Sequence, residues 1–140
     1  MPKLKHIIPL VFLLLLVVGC DDGDGVNNGD QNEELVPVQV DLLDGFAGHA
    51  VRVEFFDEEV YSDTLSTSVP LAGPLASFSV SRPRGSNQIN VYWQDLDSLH
   101  GYWENYLFNL GNADQYYMSI NAIGPGSLTV VVQDGPFLYL

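Results

Sequence analysis

From Leu35 onward the chain alternates apolar and polar residues with a period of two. Val38, Val40 and Leu42 interleave with Gln39 and Asp41; Val51, Val53 and Phe55 interleave with Arg52 and Glu54. Phe78 and Val80 sit among serines, and Ile89, Val91 and Trp93 alternate with Asn90, Tyr92 and Gln94. Met118, Ile120 and Ala122 follow the same rule, and Leu128, Val130 and Val132 close the series. Side chains along a strand point to opposite faces, so each run reads as a strand buried on one side only. Turn chemistry separates the runs at Asp44-Gly45, Gly73-Pro74, Arg84-Gly85-Ser86, Gly124-Pro125-Gly126 and Asp134-Gly135-Pro136. No segment has helical spacing; the nearest, Leu99 to Leu110, carries aromatics on both faces. The acids Asp57, Glu58 and Glu59 read as a link between two strands. The pattern predicts an all-β domain over residues 35–140, a single antiparallel β-sandwich of about seven or eight strands.

The amino terminus follows a different rule. Lys3 and Lys5 precede an apolar run from Ile7 to Val18, broken only by Pro9. The run is shorter than the about 20 residues a helix needs to span a bilayer, and its size and flanks fit a secretory signal. It ends in Val17-Val18-Gly19-Cys20, which resembles the lipobox of bacterial lipoproteins. That resemblance implies a signal peptide over 1–19, cleavage before Cys20 and lipid attached to Cys20, which anchors the protein to a membrane without a spanning helix. Residues 20–34 then form an acidic tether, with Val26 its only apolar side chain, too polar to fold. Acids beside the lipidated cysteine resemble the tag that exports lipoproteins to the cell surface in some Gram-negative groups. Asp21 directly after it resembles the inner-membrane retention signal of enteric bacteria. The length of the cluster favours the outer membrane and its outer face over the periplasmic side. The domain itself resembles the immunoglobulin-like modules common on bacterial lipoproteins, though it lacks the cysteine pair of antibody domains.

Composition narrows the function classes. A length of 140 residues suits one domain. A formal net charge of −13 excludes the electrostatic footprint of a nucleic-acid binder. A single cysteine excludes an internal disulfide and a Cys-based zinc cluster. Beyond Lys3 and Lys5 the only cations are Arg52, Arg82 and Arg84. So acidic a surface repels anionic lipid and acidic polymers, and suits a salty setting that screens its self-repulsion.

Candidate chemistry is sparse. His49 and His100 lie far apart, with no ligand pair between them, and no Gly-x-Ser-x-Gly or phosphate-binding loop is present. The chain is expected not to be an enzyme and to carry no cofactor. Weak calcium candidates are Asp22 and Asp24 in the tether, and Asp95 and Asp97 after the Trp93 strand; a solvated acidic linker is the better account of the first pair. The strongest signal is aromatic. Tyr92, Tyr102, Trp103 and Tyr106 are the candidate ligand-binding residues, interleaved with Gln94, Glu104 and Asn105. Aromatic faces beside amides suit sugars, and adjacent Tyr102 and Trp103 on a strand must face opposite ways. The expected function is a lipid-anchored surface binding or adhesion module with a glycan as candidate ligand. The alternative is a structural accessory subunit that docks another envelope protein.

Overall fold

The computed structural model describes residues 33–66 and 72–139; the signal peptide, Cys20, Asp22 and Asp24 lie outside them. The elements run β1 (Leu35–Leu42), a 3-10 turn (Asp44–Phe46), β2 (His49–Phe55), β3 (Glu58–Thr64), β4 (Ala76–Pro83), β5 (Gly85–Asp95), β6 (Gly101–Leu110), β7 (Tyr116–Gly124) and β8 (Ser127–Gln133). They form two four-stranded sheets: sheet A in the order β4-β1-β7-β8 and sheet B in the order β3-β2-β5-β6. The domain is an all-β sandwich. Among the described residues no helix is long and apolar enough to cross a membrane.

Pairing is antiparallel except at the centre of sheet A, where β1 and β7 run parallel. Tight turns force their own strands antiparallel, as at β2–β3, β5–β6 and β7–β8, but β1 and β7 are far apart in sequence. The chain passes through sheet B between them, which frees their relative direction. A strand that periodicity did not signal is β3. Phe56 and Asp57 alone turn β2 back into it, and its Glu58, Glu59, Ser62 and Asp63 make it a polar edge. An edge strand needs no buried stripe, and charges there discourage pairing with another chain.

Inward positions of all the central strands meet in one core. Val36, Val38, Val40 and Leu42 of β1 join Met118 and Ile120 of β7 on one side. Val51, Val53 and Phe55 of β2 join Ile89, Val91 and Trp93 of β5 on the other. Each such side chain contributes roughly 1.5–3 kcal/mol when fully buried. Phe46, also fully buried, closes one end of the sandwich by setting its ring edge-on against Trp93 at 6.1 Å.

The flanks are closed by different chemistry. On one, Tyr61 of β3 stacks on Phe78 of β4 at 4.8 Å, and Arg82 of β4 pairs with Glu58 of β3 at 2.8 Å. On the other, Glu104 of β6 accepts a hydrogen bond from the Leu128 amide of β8 at 3.0 Å. Arg84 carries the chain from β4 to β5, with Gly85 turning the corner at φ +90°, a conformation glycine adopts freely. The Arg84 guanidinium donates to the carbonyls of Gly111 and Ala113 and to the Glu34 carboxylate, so it ties together two crossings between the sheets. Ordered contacts thus reach one residue ahead of β1. The carboxyl-terminal tail returns to the outer side of sheet A, where the Tyr139 hydroxyl donates to Asp41 at 2.6 Å.

Candidate functional site

The outward positions of sheet B form rows across the strands. Ser62, Arg52, Tyr92 and Trp103 stand opposite one another along one row. The Arg52 guanidinium lies over the Tyr92 ring at 4.2 Å, and Tyr92 and Trp103 stack with centroids 6.3 Å apart and planes 24° from parallel. Arg52 is also bonded to Glu54 at 3.0 Å, so its charge is neutralised beside it on the same strand. Cation–π contact and ring stacking hold the three side chains upright as a wall.

The next row is Thr64, Ala50, Gln94 and Gly101. Two of its four side chains are a methyl and a hydrogen, so the tall row stands beside a low one. The result is a shallow groove of about 680 Å³ running across the strands, with Asp63 at its β3 end. Four strands spaced about 4.8 Å apart give it a length of roughly 14 Å. The Gln94 amide is fixed by donating to the Leu99 carbonyl at 2.9 Å. On the other side of the wall the Asn90 amide donates to Phe56 O at 2.8 Å and accepts from Asn105 at 2.6 Å. These bonds orient the amides before any ligand arrives.

Charge is distributed unevenly over the molecule. The chain has 18 acids, yet the outward residues of β5 are Ser86, Gln88, Asn90, Tyr92 and Gln94. Those of β6 are Gly101, Trp103, Asn105, Leu107 and Asn109, again without a charge. Among the described residues every arginine has a carboxylate partner: Arg52 with Glu54, Arg82 with Glu58, Arg84 with Glu34.

Of the four aromatic candidates, the fold brings Tyr92 and Trp103 together on this face, and Trp103 is 62% exposed. Tyr102 turns its ring to the opposite face, 5.6 Å from Trp93, and packs against the core. Tyr106 stands opposite Ile89 on that inner side, 41% exposed at the rim of the sandwich, and does not border the groove. Sequence reasoning did not single out Arg52, Ala50 or Gly101. Their signal was parity: Arg52 and Ala50 share the polar side of β2, and the register that sets them beside Tyr92 and Gln94 is a tertiary fact.

A smaller cavity of about 250 Å³ at the sandwich end lies among Gly45, His49, Asp95, Ser98, Tyr102 and Pro125. Asp95 Oδ1 accepts the backbone amides of Asp97 and Ser98 at 2.9 and 2.7 Å. The Ser98 N–H and its hydroxyl, helped by the Asp97 N–H and by His49, hold the Asp95 carboxyl below its usual range. His49 Nδ1 is bonded to Ala47 O at 3.0 Å, and Nε2 faces Asp95 at 3.9 Å. Asp95 and Asp97 form a turn, and among the described residues no group of three or more His, Cys, Asp or Glu is placed to hold a metal.

Compared with family models, with curated proteins and with solved structures, the chain finds no match in any of the three.

Proposed function

We propose that this protein is a non-catalytic binding module, anchored by lipid at Cys20 on the outer face of the bacterial outer membrane, that presents the groove of sheet B to a glycan. The observation that carries the reading is the Tyr92–Trp103 wall beside the Ala50–Gly101 trough. Sugar rings offer C–H faces that stack on aromatics and hydroxyls that bond amides, and this groove supplies both in fixed positions. Anchoring needs two acyl chains or an equivalent second signal, which lipidated Cys20 would supply. Cys20→Ala is then expected to shift the protein from the membrane fraction to the soluble one, or to leave its leader uncleaved, with loss of label from radioactive fatty acid. Undiminished label on the variant would refute the anchor.

One observation favours a second reading, an accessory subunit docked to another envelope protein. Strand β6 is a ten-residue edge without Lys or Pro, and it exposes Leu107 by 70%. Long edges of this kind pair readily with a partner. The two readings separate on one pair of variants, Tyr92→Ala and Leu107→Lys, tested on a glycan array and by co-purification from membranes. The glycan reading expects Tyr92→Ala to lose array binding at least about tenfold, near 1.4 kcal/mol, while remaining folded at the assay temperature, and Leu107→Lys still to bind. Loss of a co-purifying partner in Leu107→Lys, with an array that stays blank for every form, would favour the subunit.

A further inference from the structure

Resting on the glycan reading, we infer that the groove selects uncharged polysaccharide and takes it across the strands, with Trp103 as the specificity-determining platform. The argument begins with what the groove withholds. An anionic sugar is recognised by bidentate arginine or by lysine. The single cation at this groove, Arg52, already lies between the Glu54 carboxylate and the Tyr92 ring. The other described arginines are paired and border other parts of the molecule. A net charge of −13 adds a repulsive field that any acidic polymer must cross.

Cationic sugars are disfavoured by the complementary lack. The outward sides of β5 and β6 carry no carboxylate, and the one acid bordering the groove, Asp63, sits at its far end and accepts the Thr64 amide. Keeping the ten outward positions of β5 and β6 free of charge, in a chain with 18 acids, leaves hydrogen bonds and ring faces as the means of recognition. Both are matched by hydroxyl-rich neutral sugars. The trough runs along the Thr64–Ala50–Gln94–Gly101 row, so a ligand lying in it passes Tyr92 and ends beside Trp103, the most exposed ring at the groove.

Affinity electrophoresis of the full-length protein tests this. Native gels would contain laminarin, galactomannan, soluble starch, alginate, chondroitin sulfate or chitosan, each at low and at high salt. At least one of the three neutral polymers is expected to retard the protein equally at both salt levels, because screening weakens only charge–charge attraction. Trp103→Ala should lose that retardation at least tenfold in polymer concentration, Trp103→Phe should restore most of it, and both should remain folded at the temperature of the gel. Retardation by alginate or chondroitin sulfate, or retardation by chitosan that persists at high salt and is lost in Trp103→Ala, would overturn the neutral-sugar inference and leave the glycan reading standing; chitosan retardation that salt abolishes reports only the net charge of −13. No retardation by any polymer would overturn both. Retardation by a neutral polymer that survives Trp103→Ala would overturn the placement at Trp103.

Discussion

Gly45→Ala is expected to cost about 3 kcal/mol or more, the upper range for forcing atoms into a packed site. For a domain of this size that lowers the melting temperature by at least about 10 °C. A methyl group at Gly45 would lie 1.9 Å from the Ala122 carbonyl oxygen and 2.6 Å from the Asn121 side-chain oxygen. The first of these is backbone of β7 and cannot swing aside. The Gly45 amide also donates to Asn121 Oδ1 at 2.9 Å, so moving the 3-10 turn outward breaks the bond that seats it. Phe46 follows directly, and its ring rests on Trp93, which in turn touches Tyr102. A displaced turn therefore loosens the inner side of β5 and β6, the strands whose outer side carries Tyr92 and Trp103. Thermal unfolding followed by circular dichroism reads the effect, and a shift below 2 °C would show that the turn does not approach β7 so closely.

The same residues show how far the chain could be read in advance. Period-two alternation placed Val51, Val53, Phe55, Ile89, Val91 and Trp93 inside and Tyr92 outside, because a half-buried strand must write its burial into its sequence. Asp44-Gly45 was legible as a turn, but its contact with Ala122 joins residues far apart in the chain, and no local pattern encodes that. β3 escaped because an edge strand with Glu58, Glu59 and Asp63 buries little. At the site, adjacency alone showed that Tyr102 and Trp103 must part, yet it left open which of them faces water. Register against Tyr92 decides for Trp103, and the same register puts Tyr106 on the inner side. The groove itself depends on what is small, Ala50 and Gly101, and small residues carry no signal until their neighbours are known.

Tyr139→Phe should destabilise the domain by about 1.5–3 kcal/mol near neutral pH, the usual worth of a hydrogen bond to a charged group. Asp41 is 3% exposed on the outer side of sheet A, and its carboxylate accepts from Ser77 at 2.7 Å, Gln39 at 3.3 Å and Tyr139 at 2.6 Å. Phenylalanine keeps the ring over β1 but leaves one carboxylate oxygen without its shortest donor. The interaction also has a pH signature. Burial of the Tyr139 phenol, then its hydrogen bond to Asp41, then the charge of Asp41 all disfavour the phenolate and push its pKa well above the usual tyrosine range. In the unfolded chain the same phenol loses its proton near pH 10. Above that pH the folded state holds the proton and the unfolded state does not, so raising the pH favours unfolding. The stabilisation is therefore complete below about pH 10 and declines as the pH climbs toward the folded value. Tyr61, whose pKa is also raised by burial, contributes equally to both proteins and cancels in their difference. Urea midpoints measured for the wild type and Tyr139→Phe from pH 7 to well above 10 should converge as the pH rises. A gap that stays constant through that range would mean that the tail does not seat its hydroxyl on Asp41.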